Sequence, residues 1–128
     1  MFHYEIYSED SLIVLKLDGD CDFSELMTGI QTYMNDPKYL PDFTGVLDMR
    51  FGKLVLTPGE IRQISEFVHQ QKFAKGRWCH IVDDPMNTAL GTLYANLIKD
   101  EHPLKVFSTI EAASDYVMID LSKYLKST

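Results

Sequence analysis

The sequence is poor in several features that mark special classes of protein. Only two of its 128 residues are cysteine, Cys21 and Cys79, and they form no CxxC pair. A disulfide framework or a paired-cysteine metal site is therefore not indicated, and we expect two buried free thiols. The longest apolar runs, such as residues 12–15, are far too short for a membrane span. The first residues also lack the basic and apolar regions of a signal peptide, so we expect a cytoplasmic protein.

Positive charge is scarce as well. Lys and Arg number 12 against 19 Asp and Glu, which gives a formal net charge of −7 at pH 7. This excess of acid repels phosphate groups, so we expect neither nucleic acid nor an anionic membrane as a partner. Hydrophobic residues make up 45% and charged residues 24% of the chain, as in an ordinary globular protein. The length is that of one domain, and we expect residues 1–128 to form it.

Four helix-start signals divide the chain. The strongest is Thr57-Pro58-Gly59-Glu60, in which Thr57 suits the N-cap, Pro58 the first helical position, and Glu60 can bond back to the cap. Asp84-Pro85 repeats the cap and the proline. Capping-box patterns also begin at residues 22 and 108, and apolar residues follow each signal at helical spacing. The sequence therefore predicts four helices, the second ending at residue 76 and the last reaching residue 125.

Apolar segments between these helices predict five strands, at residues 2–7, 11–17, 44–49, 77–82 and 104–107. The resulting order is ββαβαβαβα. Helices between strands require crossovers, so we expect an α/β fold with a mostly parallel sheet of about five strands. An antiparallel N-terminal strand should form one edge, with helices on the sheet faces. The aromatic residues of that first strand either support a homodimer through the edge or cover a helix of the same chain.

Three stretches carry a resemblance to a known family: Thr44-Gly-Val-Leu-Asp48-Met, Arg77-Trp-Cys-His-Ile-Val-Asp-Asp84-Pro and Lys105-Val-Phe107-Ser-Thr-Ile-Glu111-Ala112. They resemble, in order, the strand before the phosphorylation loop, a strand ending in an Asp-Asp-Pro turn, and a short strand leading into a helix of SpoIIAA-like proteins. That fold includes the STAS domains, which are anti-sigma-factor antagonists, and the tails of sulfate transporters. The small stand-alone bacterial STAS-like proteins are the most similar group. The resemblance implies a regulatory module without enzymatic activity.

One departure from the family pattern concerns phosphorylation. STAS antagonists carry Asp-Ser-Ser-Gly at the start of the helix after the third strand, and a kinase phosphorylates the second serine. Aligned on Gly59, this chain reads Leu56-Thr57-Pro58-Gly59. Proline has no hydroxyl, so we predict that this loop is not regulated by a phosphate and that Thr57 acts only as a cap.

The candidate site lies where the third and fourth strands lead into their helices, in residues 51–60 and 83–88. Ligands of open α/β sheets bind at the carboxyl ends of the strands. We expect a protein partner or a small ligand to bind there, and an anionic group could meet the helix start beside Arg50 and Lys53. The candidate residues are Arg50, Lys53, Thr57, Gly59, Glu60, Asp83, Asp84 and Asn87.

Two other functions are open at this point. A small apolar-ligand or lipid-binding protein is one, through a looser likeness to CRAL-TRIO lipid-transfer domains, and a continuous apolar cavity would favour it. A metal-dependent phosphotransfer domain is the other, with Asp48 and Asp83 holding Mg²⁺. The sequence has no nucleophile-elbow, Walker or zinc-protease motif, so we expect no catalytic residue and no cofactor. A solid core with an exposed apolar edge would favour the interaction module.

Overall fold

The computed structural model describes residues 1–127, which form seven strands and four α-helices. The strands are β1 (Phe2–Tyr7), β2 (Leu12–Leu17), β3 (Gly19–Asp22), β4 (Thr44–Asp48), β5 (Gly52–Val55), β6 (Trp78–Ile81) and β7 (Leu104–Phe107). The helices are α1 (Phe23–Met34), α2 (Pro58–Gln71), α3 (Pro85–Ile98) and α4 (Ile110–Val117). Within this part of the chain no helix has the length and apolar character that a membrane crossing needs.

The main sheet has the strand order β1-β2-β4-β6-β7. β1 pairs with β2 in the antiparallel sense, and the other neighbours pair in parallel. The predicted fold class and its antiparallel edge strand are therefore confirmed. Because the parallel strands follow one another in one direction across the sheet, right-handed crossovers put α1, α2 and α3 on the same face. The opposite face is covered by α4 and the C-terminal turn Leu121–Lys123.

A second, two-stranded sheet joins β3 and β5, and the sequence did not predict it. Each strand has four residues, too few for a clear period of two. Cys21 and Leu54 point into the core, whereas their neighbours Asp20, Lys53 and Val55 are exposed. This small sheet therefore closes one end of the core.

The helix starts follow the predicted caps with one correction. Asp22, Thr57 and Asp84 each accept a hydrogen bond from an amide three residues later, and Thr57 forms a complete capping box with Glu60. The fourth cap is Thr109 and not Ser108, because the Thr109 side chain accepts from the amide of Ala112.

Two helices end earlier than predicted. α2 stops at Gln71, followed by Lys72 in a left-handed conformation. Gly76 lies beyond it, at a place where any side chain would collide with the carbonyl oxygen of Phe43. α4 stops at Val117, while the C-terminal turn still buries Leu121 in the core.

The aromatic residues of β1 face the chain's own core. The Phe2 ring packs against Gly29 of α1, and the Tyr4 ring lies 6.1 Å from that of Tyr33. These contacts explain the aromatic pattern without a second copy of the chain. The homodimer remains a prediction.

Candidate functional site

Beyond the end of β4 lies a buried ion pair. The side chains of Asp48 and Arg50 are 2% and 5% exposed. Arg50 Nε donates to Asp48 Oδ1 and Arg50 Nη2 donates to Oδ2, each at 2.9 Å, so the contact is bidentate. The Arg50 amide also donates to Oδ1, at 3.1 Å. Both carboxylate oxygens of Asp48 are therefore engaged inside the chain.

Arg50 is held in place from a second side. Its Nη2 also donates to the carbonyl oxygen of Lys126, at 2.6 Å. The hydrogen bond to Asp48 raises the pKa of Arg50 against the effect of burial, and the charges of Asp48 and Asp83 raise that pKa further. We expected Arg50 to bind an anion at the edge, but its guanidinium is already paired with the Asp48 carboxylate.

The residues proposed for the magnesium site are placed differently from that expectation. Asp48 is bound to the guanidinium of Arg50, and Asp83 is exposed. Across residues 1–127, no three or more His, Cys, Asp or Glu side chains are grouped so that they could hold a metal ion.

Asn87 connects the start of α3 to β5. It is fully buried, although a polar residue in the first turn of a helix was expected to face a partner. Its Oδ1 accepts from the Leu54 amide at 3.0 Å. Its Nδ2 donates to the carbonyl oxygens of Met49 and Gly52, at 3.2 and 3.0 Å. This side chain is a clamp on the main chain around β5: both hydrogens of Nδ2 are used, and the whole residue is closed off from solvent.

Three other candidates have internal roles at helix starts. Thr57 and Glu60 satisfy each other's amides in the capping box, and Asp84 accepts from the Asn87 amide. Lys53, Gly59 and Asp83 are exposed. The structure therefore brings the predicted candidates to one edge of the sheet, where most of them hold the edge together and these three face the solvent.

The same edge carries three large apolar side chains that face the solvent: Phe51, Val55 and Met86, with exposed fractions of 49%, 52% and 61%. Phe51 precedes β5, Val55 is its last residue, and Met86 precedes Asn87, which bonds to the main chain of that strand. We call these three residues the edge patch. All three lie within residues 51–60 and 83–88 of the candidate site, but they are not among the binding residues predicted from the sequence.

The two cysteines are buried thiols, as expected. Burial raises the pKa of Cys21 to about 11 and that of Cys79 to about 12, with a smaller contribution from nearby carboxylates. Both are therefore protonated at neutral pH, whereas a nucleophilic cysteine needs a lowered pKa.

Comparison with known proteins adds evidence at the level of three-dimensional structure. No family model and no curated protein sequence matches this chain. An uncharacterized protein of the DUF3478 family from Shewanella loihica, with a SpoIIAA-like fold, superimposes with a TM-score of 0.58 at 11% sequence identity. The alignment covers 91% of this chain and 92% of that one. The present chain has the SpoIIAA-like fold.

A second solved structure supports this assignment. The anti-sigma factor antagonist SpoIIAA, in its unphosphorylated form, aligns with a TM-score of 0.52 at 15% identity. The alignment covers 92% of this chain and 98% of that one. The resemblance stated from the sequence is thus confirmed for the fold. In this chain, Pro58 follows the cap of α2.

Proposed function

We propose that the protein is a non-enzymatic regulatory module that binds a protein partner through the edge patch. The observation that carries the proposal is the exposure of Phe51, Val55 and Met86 together at the carboxyl ends of the parallel strands. Large apolar side chains exposed at one edge of a small domain are a feature of interaction sites. The exposed Lys53, Gly59 and Asp83 lie at the same edge and would form its polar surroundings.

The charges around the edge patch indicate the chemistry of the partner. In the β3–β5 sheet, Asp20 lies opposite Lys53 and Asp22 lies opposite Val55, and all four side chains are exposed. Together with Asp83, carboxylates outnumber cations there, in keeping with the net charge of −7. A matching partner surface is apolar at its centre and basic at its rim.

The fold supports a protein as the partner. One structural neighbour is, by its name, an antagonist of an anti-sigma factor, which is itself a protein. In the present chain the Thr57 hydroxyl accepts from the Glu60 amide, and the next residue is Pro58. We therefore infer that binding is controlled by something other than a phosphate on this loop.

A capture experiment tests the proposal. Tagged wild-type protein and a Phe51→Ser/Val55→Thr/Met86→Gln variant are incubated with extract from cells that naturally make the protein. A Leu40→Ser/Met118→Asn variant is the control, because it removes apolar side chains of similar exposure at the opposite end of the sheet. The binding constant of any captured protein is then measured with purified components.

We expect a captured protein to bind the wild type and the control equally and the edge-patch variant at least tenfold more weakly, which corresponds to about 1.4 kcal/mol. Equal binding by all three proteins, with the fold of each confirmed by circular dichroism, would show that the edge patch is not the docking surface.

A further inference from the structure

An apolar cavity lies between the main sheet and helices α1, α2 and α3. Its volume is about 60 Å³, and its wall is almost entirely apolar. The lining includes Leu47 of the sheet and one or more side chains from each helix, such as Leu26, Ile61 and Leu90. One water needs about 10–15 Å³, and a cavity of about 150 Å³ holds a benzene. The space is therefore large for a water and suited to a molecule of a few heavy atoms.

Two polar atoms in the cavity wall lack a partner. Within residues 1–127, Trp78 Nε1 and His80 Nδ1 are buried and form no hydrogen bond. Both residues line the cavity, with exposed fractions of 4% and 6%. They lie two positions apart on β6 and so point to the same face of the sheet. Native proteins rarely leave buried polar groups unpaired, so two in one cavity wall indicate an occupant.

The chemistry of these two groups restricts what the occupant can be. The indole N–H of Trp78 is a donor only. Burial lowers the pKa of His80 to about 3, and the charge of His102 adds to this effect, so the imidazole is neutral at pH 7. A neutral imidazole has one donor nitrogen and one acceptor nitrogen. An ion in this apolar space would have no counter-charge beside it, and its desolvation would be costly.

The space beside His80 depends on a glycine. A Cβ at Gly91 of α3 would lie 3.5 Å from His80 Nδ1 and 3.6 Å from atoms of Met49 and Val106. These are ordinary contact distances, so alanine would fit there. The glycine therefore leaves a methyl-sized space next to the unpaired nitrogen.

We propose that this cavity is a binding site for a small uncharged alcohol of a few carbon atoms. The hydroxyl oxygen accepts from Trp78 Nε1, the hydroxyl hydrogen is donated to the imidazole of His80, and the carbon atoms fill the apolar remainder. Water alone fits less well, because one water would bond to the two unpaired groups but leave the apolar remainder of the space empty. The site lies inside the core and goes beyond the docking role proposed for the edge patch.

The chain contains one tryptophan, so the indole N–H of Trp78 gives a single, unambiguous signal in a proton–nitrogen NMR spectrum. The protein is titrated with ethanol, whose three heavy atoms suit the small volume, and with acetate as a charged molecule of similar size. We expect ethanol to shift the indole signal in a saturable way and acetate to leave it unchanged. An indole signal that does not respond to ethanol, at concentrations that leave the fold intact by circular dichroism, would overturn the proposal, and water would then be the occupant.

A titration of a variant whose cavity is partly filled provides the second measurement. Gly91→Ala adds a methyl group at ordinary contact distances and raises helix propensity, so the fold should be retained. We expect half-saturation with ethanol to require several times more alcohol than in the wild type. Thr92→Ala, on the exposed side of the same helix, is the matched control and should titrate like the wild type. Identical titrations of Gly91→Ala and the wild type would rule out this cavity, whatever the state of the edge patch.

Discussion

Replacing Arg50 by alanine would remove one half of the buried ion pair at the end of β4. The Asp48 carboxylate, 1% exposed as a residue, would lose both side-chain hydrogen bonds and keep only the one from the amide of residue 50. The tie from Arg50 Nη2 to the carbonyl oxygen of Lys126 would also be lost. Removing one partner of a buried pair leaves an uncompensated charge and typically costs about 3–5 kcal/mol. We expect Arg50→Ala to lower the free energy of unfolding by that amount, a large share of a domain's typical stability of about 5–15 kcal/mol.

Urea denaturation followed by circular dichroism measures this change. Lys53→Ala is the matched control, because it removes a cation of the same segment that is exposed, and we expect its effect to stay within about 0.5 kcal/mol. The double variant Asp48→Leu/Arg50→Met removes both charges and should be close to the wild type in stability. An Arg50→Ala cost below about 1 kcal/mol, or one equal to that of Lys53→Ala, would refute the reasoning, since it would mean that water compensates the Asp48 charge.

Four further results are expected. Thr57→Ala should lower the free energy of unfolding by about 1 kcal/mol in urea denaturation, because the capping bond to the Glu60 amide is lost. Burial lowers the pKa of His80 to about 3, so below about pH 6.5 the unfolded chain takes up a proton that the folded chain does not. Stability should therefore fall as the pH drops towards 3, and His80→Leu should flatten this slope. Intact-mass measurement of protein from its own cells should find no phosphate in residues 51–59, where Pro58 occupies the acceptor position. Sedimentation at micromolar concentration should detect a dimer, and a monomer alone would contradict that prediction.

The parts of the fold that the sequence predicts are those determined over a few residues. Thr57, Glu60 and Asp84 interact with amides three positions away, so their roles could be read from spacing alone. The order of the helices and of the five strands of the main sheet follows in the same way from local apolar patterns, and chirality then limits how they can be arranged. The end of α4 was harder to predict, because Leu121 continues the helical spacing while belonging to a separate turn.

The sequence places the candidate residues at strand ends and helix starts, but it does not show what their side chains contact. Asn87 and its partners are separated by 33 to 38 residues, and no local pattern distinguishes a buried clamp from an exposed polar residue. The same holds for Met86, since no local pattern indicated its exposure. The unpaired atoms of Trp78 and His80 also could not be predicted from the sequence, because pairing depends on which side chains of the three helices lie beside them.

β5 faces both proposed sites. Leu54 lines the cavity and Val55 belongs to the edge patch. The Asn87 side chain bonds to the Leu54 amide and to the carbonyl oxygen of Gly52. A change at Asn87 would therefore disturb the cavity and the edge patch together and could not assign a function to either. Gly91→Ala acts on the cavity alone and Phe51→Ser on the edge patch alone, because Gly91 lines the interior and Phe51 faces the solvent. If Gly91→Ala weakens alcohol binding while partner binding is unchanged, the two sites are independent; if it alters both, β5 couples them.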